Sequence, residues 1–191
     1  MKENLNPEKL RNLSQQIYDT ACAHGWHEEH FSNEHWLCLI MTEMAEAVEA
    51  DRKGRRANME AFRKLLMEGE KDTHKEWYMS LYQNYIKGSL EEEFADIVIR
   101  LIDMAVTIHG KNMKWFGYYP FGATFNENMT FSESAWQFIS EVLNWGMINI
   151  SDSVSYIYDW ASHFGIDLDQ HIELKMKYNQ LRPYKHGGKK Y

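Results

Sequence analysis

Two pairs of acids stand out by their spacing. Glu43 and Glu46 form an ExxE pair within EHWLCLIMTEMAEAVEADRK (34–53). Glu93 and Asp96 form an ExxD pair within SLEEEFADIVIRLIDMAVTIHG (89–110). On an α-helix, residues three apart lie about 60° from each other around the axis and one turn along. Each pair can therefore direct two carboxylates at one point. Four such groups on two facing helices make an oxygen-rich pocket of the kind Mg²⁺ prefers, with Mn²⁺ as a second fit.

The helices that must carry these acids read as core elements. In the first, Trp36, Leu39 and Ile40 set an apolar stripe, and Glu43 and Glu46 continue it at i+7 from Trp36 and Leu39. The second is apolar almost all round, from Ile97 to Val106, as expected of a buried helix. Asp96, Arg100 and Asp103 run along it as a polar line. Carboxylates on such faces call for a cation or a hydrogen-bonding partner. Two readings follow from the residues alone: a metal site, or solvated helix rims with Arg100 neutralising Asp96.

EMAEAVEADRKG, EEFADIVIRLIDMA and the C-terminal string KMKYNQLRPYKHGGKKY (175–191) resemble the MazG-like, all-α nucleotide pyrophosphohydrolases. The resemblance covers roughly residues 28–54, 89–106 and 157–191. IYDWASHFGIDLD (157–169) is similar to what commonly follows the ExxD helix in that family, so about residues 107–156 look like an insertion.

The resemblance implies a single all-α helical bundle over 1–191, with Glu43, Glu46, Glu93 and Asp96 holding Mg²⁺ or Mn²⁺. It implies hydrolysis of a nucleoside triphosphate to the monophosphate and pyrophosphate, with Glu43 or Glu46 taking the proton of the attacking water. A homodimer or homotetramer is expected. So is a nucleotide base near Trp36 or His35, just ahead of the ExxE pair. The rivals are a non-catalytic helical module that binds a nucleotide or a protein, and a pyrophosphatase specific for dUTP or dCTP.

The C-terminal stretch adds a basic element. Lys175, Asn179 and Arg182 fall at i, i+4 and i+7 on one helix face, a cation, an amide and a guanidinium suited to phosphate or sugar. From Lys175 onward the chain carries Lys and Arg but no acid, and Lys185, His186, Lys189 and Lys190 surround a Gly-Gly backbone: either a solvated basic end or, as the resemblance implies, a nucleotide-binding tail in which Lys185 and Lys189 close over pyrophosphate. Lys53, with Arg55 and Arg56, ends the first acidic helix, favourable to its dipole and able to touch phosphate. Glu49 is either a fifth ligand or a partner for Arg52 and Lys53.

The whole chain has 191 residues and a formal net charge of −7, which argues against a general nucleic-acid binder. Cys22 and Cys38 do not make a disulfide scaffold. MKENLNPEKLRNL lacks the apolar core of a signal peptide, and no run approaches a membrane span, so a cytoplasmic protein without a membrane partner is expected. Long helical periodicities and only three prolines predict an all-α class.

Further helices are predicted from Asn6-Pro7 to about Ala23, as one or two within 57–87, over 130–149 and 152–165, and from an Asp167 N-cap to about Leu181. Leu10, Leu13, Ile17 and Ala21 face inward in the first of these. Phe62, Leu65, Leu66, Trp77, Leu81 and Tyr85 anchor the 57–87 segment, with a break near Gly69. Ser32, Ser89, Ser132 and Asp152 are candidate caps, and Gly54 a candidate C-cap. Residues 111–129 read as an aromatic loop, either a lid or a surface connection. His24, His27, His30 and His35 admit a zinc site or a plain turn.

Overall fold

The computed structural model describes residues 7–68, 75–111, 125–144, 150–188 and 190, with the backbone alone for 141–144. Described elements are helical: α1 (Pro7–Ala23), α2 (Asn33–Arg52), α3 (Met59–Glu68), α4 (Lys75–Tyr85), α5 (Leu90–His109), α6 (Phe131–Asn144), α7 (Ile150–His163) and α8 (Leu168–Leu181). No strand occurs among the described residues. The architecture is an all-α helical bundle.

Its axis is α5, which packs against α1, α2, α7 and α8. Residues 94–106 of this helix include Phe94, Ala95, Ile97, Val98, Leu101, Ile102, Met104 and Ala105, all inaccessible to solvent. A helix apolar on every side has to be surrounded, and these four neighbours satisfy that need. On one flank Phe94 and Phe131 close on Trp160, with centroids at 5.1 and 4.5 Å, tying α7 and α6 to the axis. A second cluster of Phe62, Tyr78, Leu81, Tyr82, Ile86 and Tyr178 fixes α3 and α4 to α8. Tyr82 stacks on Tyr178 at 4.2 Å. Of the anchors expected there, Phe62 and Leu81 are buried, whereas Trp77 is 38% exposed and Tyr78 and Tyr82 take its place.

The start of α5 is set by two residues. Ser89 is the N-cap, and its hydroxyl accepts from the Glu92 N–H at 3.2 Å. Gly88 precedes it with φ +73°, a left-handed conformation that a side chain would strain. Replacing Ser89 by alanine is expected to cost about 1 kcal/mol, read from urea unfolding followed by circular dichroism.

Helix ends agree with the sequence at Ser32, Ser89 and Asp167, each of which accepts a first-turn N–H. Two caps differ. Ser132 lies inside α6, and Thr130 caps it instead: its hydroxyl accepts from the Glu133 N–H while the Glu133 carboxylate accepts from the Thr130 N–H at 2.8 Å. This reciprocal pair satisfies two otherwise orphaned donors and outcompetes a lone serine. Asp152 sits in the first turn of α7, which begins at Ile150. At the end of α2, Lys53 is the C-cap and Gly54 follows with φ +60°. The Asn6 cap, the Gly69 break and most of the 111–129 loop lie outside the described residues.

No helix among the described residues is long and apolar enough to cross a membrane. Cys22 and Cys38 are free and exposed.

Candidate functional site

Three successive glutamates open α5, and each is aimed at a different neighbour because successive helical residues are about 100° apart. Glu91 accepts from the Arg56 guanidinium at 2.7 Å and from the Ala57 N–H at 2.9 Å, fixing the chain that leaves α2. Glu92 accepts from the Gly88 N–H and from the Lys175 ammonium. Glu93 points toward α2. There, one carboxylate oxygen each from Glu43, Glu93 and Asp96 lies within 4.8 Å of the others.

These three acids share a cleft of about 210 Å³ with Glu46, Arg100, Lys175, Asn179, Arg182, Trp26 and His186. Acidic helices α2 and α5 supply one wall and α8 the basic wall. The ridge of Lys175, Asn179 and Arg182 therefore faces the carboxylates, as their helical spacing predicts.

Electrostatically the cleft is crowded. Burial pushes the Glu93 carboxyl up to about 9, and Asp96, Glu92 and Glu46 add repulsion. Burial and the Asp96 charge push Glu43 up to about 7, against the pull of Arg100. For Lys175, burial alone would lower the pKa, but Asp96 and Glu92 outweigh it and hold the ammonium above its ordinary value. Its nitrogen is 2.5 Å from a carboxylate oxygen of each. Arg100 Nε is 3.2 Å from Glu43 Oε1. The expected Arg100–Asp96 pairing is thus replaced by two others: Arg100 reaches across to α2, and Lys175 takes Asp96.

The donor set fits a hard divalent cation. All three atoms are carboxylate oxygens, and opposite ligands of an octahedral Mg²⁺ stand about 4 Å apart. Three ligands cannot all be opposite, and neighbouring ones stand about 3 Å apart, so these oxygens, within 4.8 Å of one another, would draw together around an ion. Glu46 lines the same cleft but is exposed and lies outside this group of three.

The remaining sequence candidates are placed as follows. Trp36 is 4% exposed and packs on His27 and Phe31 in the core, away from the cleft lining. His35 stacks on Phe31 at 4.1 Å. Lys53 pairs with Glu49 at 2.7 Å, and Arg52 joins it at 3.2 Å, so Glu49 is spent on its own helix end. Lys185 reaches Glu28 at 3.4 Å. Lys189 lies outside the described residues.

The four histidines disperse rather than converge. His27 bonds to Asp103 at 2.9 Å and stacks on Tyr18. His24 sits between the carbonyls of Thr20 and Arg182. The only group of three or more metal-type ligands among the described residues is the carboxylate set above.

Sequence reasoning passed over Glu92 and Trp26. Three consecutive acids on a helix otherwise apolar all round was the available signal for Glu92. Trp26 and His186 meet edge to face at 5.1 Å, because the last turn (Lys185–Gly188) folds back onto the α1–α2 connection. The Lys185 N–H donates to the His24 carbonyl at 3.0 Å, which fixes that return.

A pH dependence follows from the two raised carboxyls. In the unfolded chain both ionise near 4.5, so between there and about 7 for Glu43, and about 9 for Glu93, the folded state holds more protons. The stability they permit is complete below about 4.5 and is lost as pH rises through those values. In chelator, the melting temperature is expected to fall over this window more steeply than in Glu93→Gln. Millimolar Mg²⁺ should flatten the wild-type slope, since a bound cation replaces the protons.

Comparison of the chain with protein-family models, with curated proteins and with solved structures found no match.

Proposed function

We propose that this chain is a divalent-cation-dependent nucleoside triphosphate pyrophosphohydrolase of the MazG-like, all-α kind. The observation that carries the proposal is the meeting of Glu43, Glu93 and Asp96, from two helices, in a cleft whose opposite wall is Lys175, Asn179 and Arg182. Carboxylates that hold Mg²⁺ facing cations that hold phosphate is the arrangement a magnesium–polyphosphate substrate needs. The bond cleaved, between the α- and β-phosphates, comes from the resemblance in the ExxE, ExxD and C-terminal segments.

When bound, Mg²⁺ or Mn²⁺ supplies Lewis-acid shielding of the phosphates and lowers the pKa of a coordinated water. The chain's own residues do the rest. Glu43, Glu93 and Asp96 provide the ligands. Glu46, exposed at the cleft wall beside them, accepts the proton of the attacking water. Lys175 and Arg182 balance phosphate charge, and Asn179 offers an amide whose buried Oδ1 has no hydrogen-bond partner among the described residues. The aromatic end of the cleft, Trp26 with His186, receives the base in place of Trp36. Assembly as a homodimer or homotetramer belongs to the same proposal.

Glu46→Gln is expected to lower kcat by on the order of a hundredfold or more while Mn²⁺ binding persists, measured by pyrophosphate release and by titration of free Mn²⁺. The proposal as a whole is tested with a panel of ribo- and deoxynucleoside triphosphates, including dUTP and dCTP in competition, with Mg²⁺ and with chelator. Magnesium-dependent monophosphate and pyrophosphate are the expected products.

A second reading has one observation in its favour: Asp96 and Glu43 already have cationic partners in Lys175 and Arg100. A non-catalytic module with a structural ion-pair network would bind nucleotide in the same assay and release no pyrophosphate.

A further inference from the structure

Glu92 has no part in the mechanism above, yet it is among the most deeply buried charged residues described, at 2% exposure. It lies next to Glu93 in sequence but outside the group of three converging oxygens. Around α5, Asp96 stands about 40° from Glu92 on one side and about 60° from Glu93 on the other. Asp96 is therefore shared. On the α2 side it belongs to the cluster with Glu43 and Glu93, and on the α8 side it meets Lys175, which Glu92 also holds.

An ammonium has three donors, and Glu92 and Asp96 take two. The Gly88 N–H fixes the other Glu92 oxygen, so this carboxylate cannot follow the lysine if it moves. A cation entering the cluster competes with Lys175 for Asp96. With Glu92 in place, the lysine keeps a full anionic partner when Asp96 turns away, and stays in the cleft wall. Without it, Asp96 would be the only carboxylate among the described residues paired directly with the lysine, and the cation would have to break that pair.

We infer that Glu92 is a positioning residue that retains the Lys175 ammonium while Asp96 passes from the lysine to the cation. The inference rests on the metal reading of the cluster and is independent of the bond hydrolysed.

The test is a double-mutant cycle on the full chain, with Mn²⁺ alone as probe and free Mn²⁺ followed by electron paramagnetic resonance. Glu92→Gln is expected to weaken Mn²⁺ binding about tenfold. Lys175→Gln, which retains an amide donor toward Glu92, should bind at least as tightly as wild type. In that background Glu92→Gln should have no further effect, because it acts through the lysine. An equal loss in both backgrounds would mean that Glu92 acts on the cation directly, and no loss in either would mean that it does nothing to the site; each overturns the inference.

Circular dichroism checks folding. Should Lys175→Gln not fold, Glu92→Asp decides: the retained charge should keep affinity near wild type, and a loss as large as that of Glu92→Gln would overturn the inference. Wild-type protein that binds no Mn²⁺ would remove the metal reading itself. Binding with an additive cycle would remove only the role of Glu92.

Discussion

Glu93→Gln is expected to abolish cation-dependent hydrolysis and, in chelator above neutral pH, to make the protein more stable than wild type. Glu93 is 4% exposed and shares its space with Asp96 and Glu43. Its raised pKa says that ionisation in the absence of a cation is unfavourable there. Glutamine preserves the shape and removes the charge that burial and its neighbours oppose. The same change removes a ligand, and the lost transition-state charge stabilisation corresponds to on the order of a thousandfold in kcat/KM. Pyrophosphate release and thermal melting in chelator, run on the same preparation, read the two opposite effects. A purely structural ion-pair network predicts a loss of stability instead.

Lys175→Met should show the largest loss of stability of any single site change discussed. The ammonium is buried between two carboxylates at 2.5 Å from each, and its removal leaves Glu92 and Asp96 without their cation. Breaking a buried pair in this way costs about 3–5 kcal/mol. For a chain of this length that corresponds to a fall of roughly 10 °C in Tm. Adding Glu92→Gln should recover part of the loss, because it removes one of the two stranded charges. Urea unfolding of the single and double variants checks both statements, and an unchanged midpoint in Lys175→Met would contradict the ion triad.

Much of this arrangement was legible in the sequence because local rules and burial point the same way. Ser89 and Gly110 bracket a run with no polar face wide enough to meet water, so α5 had to be a buried axis. The stripe carrying Glu43 had to turn inward with Trp36 and Ile40, and the i, i+4, i+7 spacing of Lys175, Asn179 and Arg182 had to give one face. Three matters were not legible, each because it depends on a partner distant in the chain.

The first is the choice of counter-ions. Arg100 lies one turn from Asp96 on α5, and only the packing of α2 and α8 decides that it serves Glu43 while Lys175 serves Asp96. The second is which tryptophan meets the cleft. Trp36 and Trp26 are both near the ExxE helix, but Trp36 is drawn into the core by His27 and Phe31, whereas Trp26 is held half-buried at the cleft by the returning C-terminal turn. The third is the division of labour among Glu91, Glu92 and Glu93, which the 100° step guarantees in kind but whose targets are set by Arg56, Lys175 and Glu43.

The central claim is that side chains from α2 and α5 together bind one divalent cation. The most direct measurement is an anomalous difference map from crystals grown with Mn²⁺. The account predicts a peak at about 2.0–2.6 Å from carboxylate oxygens of Glu43, Glu93 and Asp96. A map with no peak in this cleft, and Lys175 still bridging Glu92 and Asp96 in saturating Mn²⁺, would contradict it.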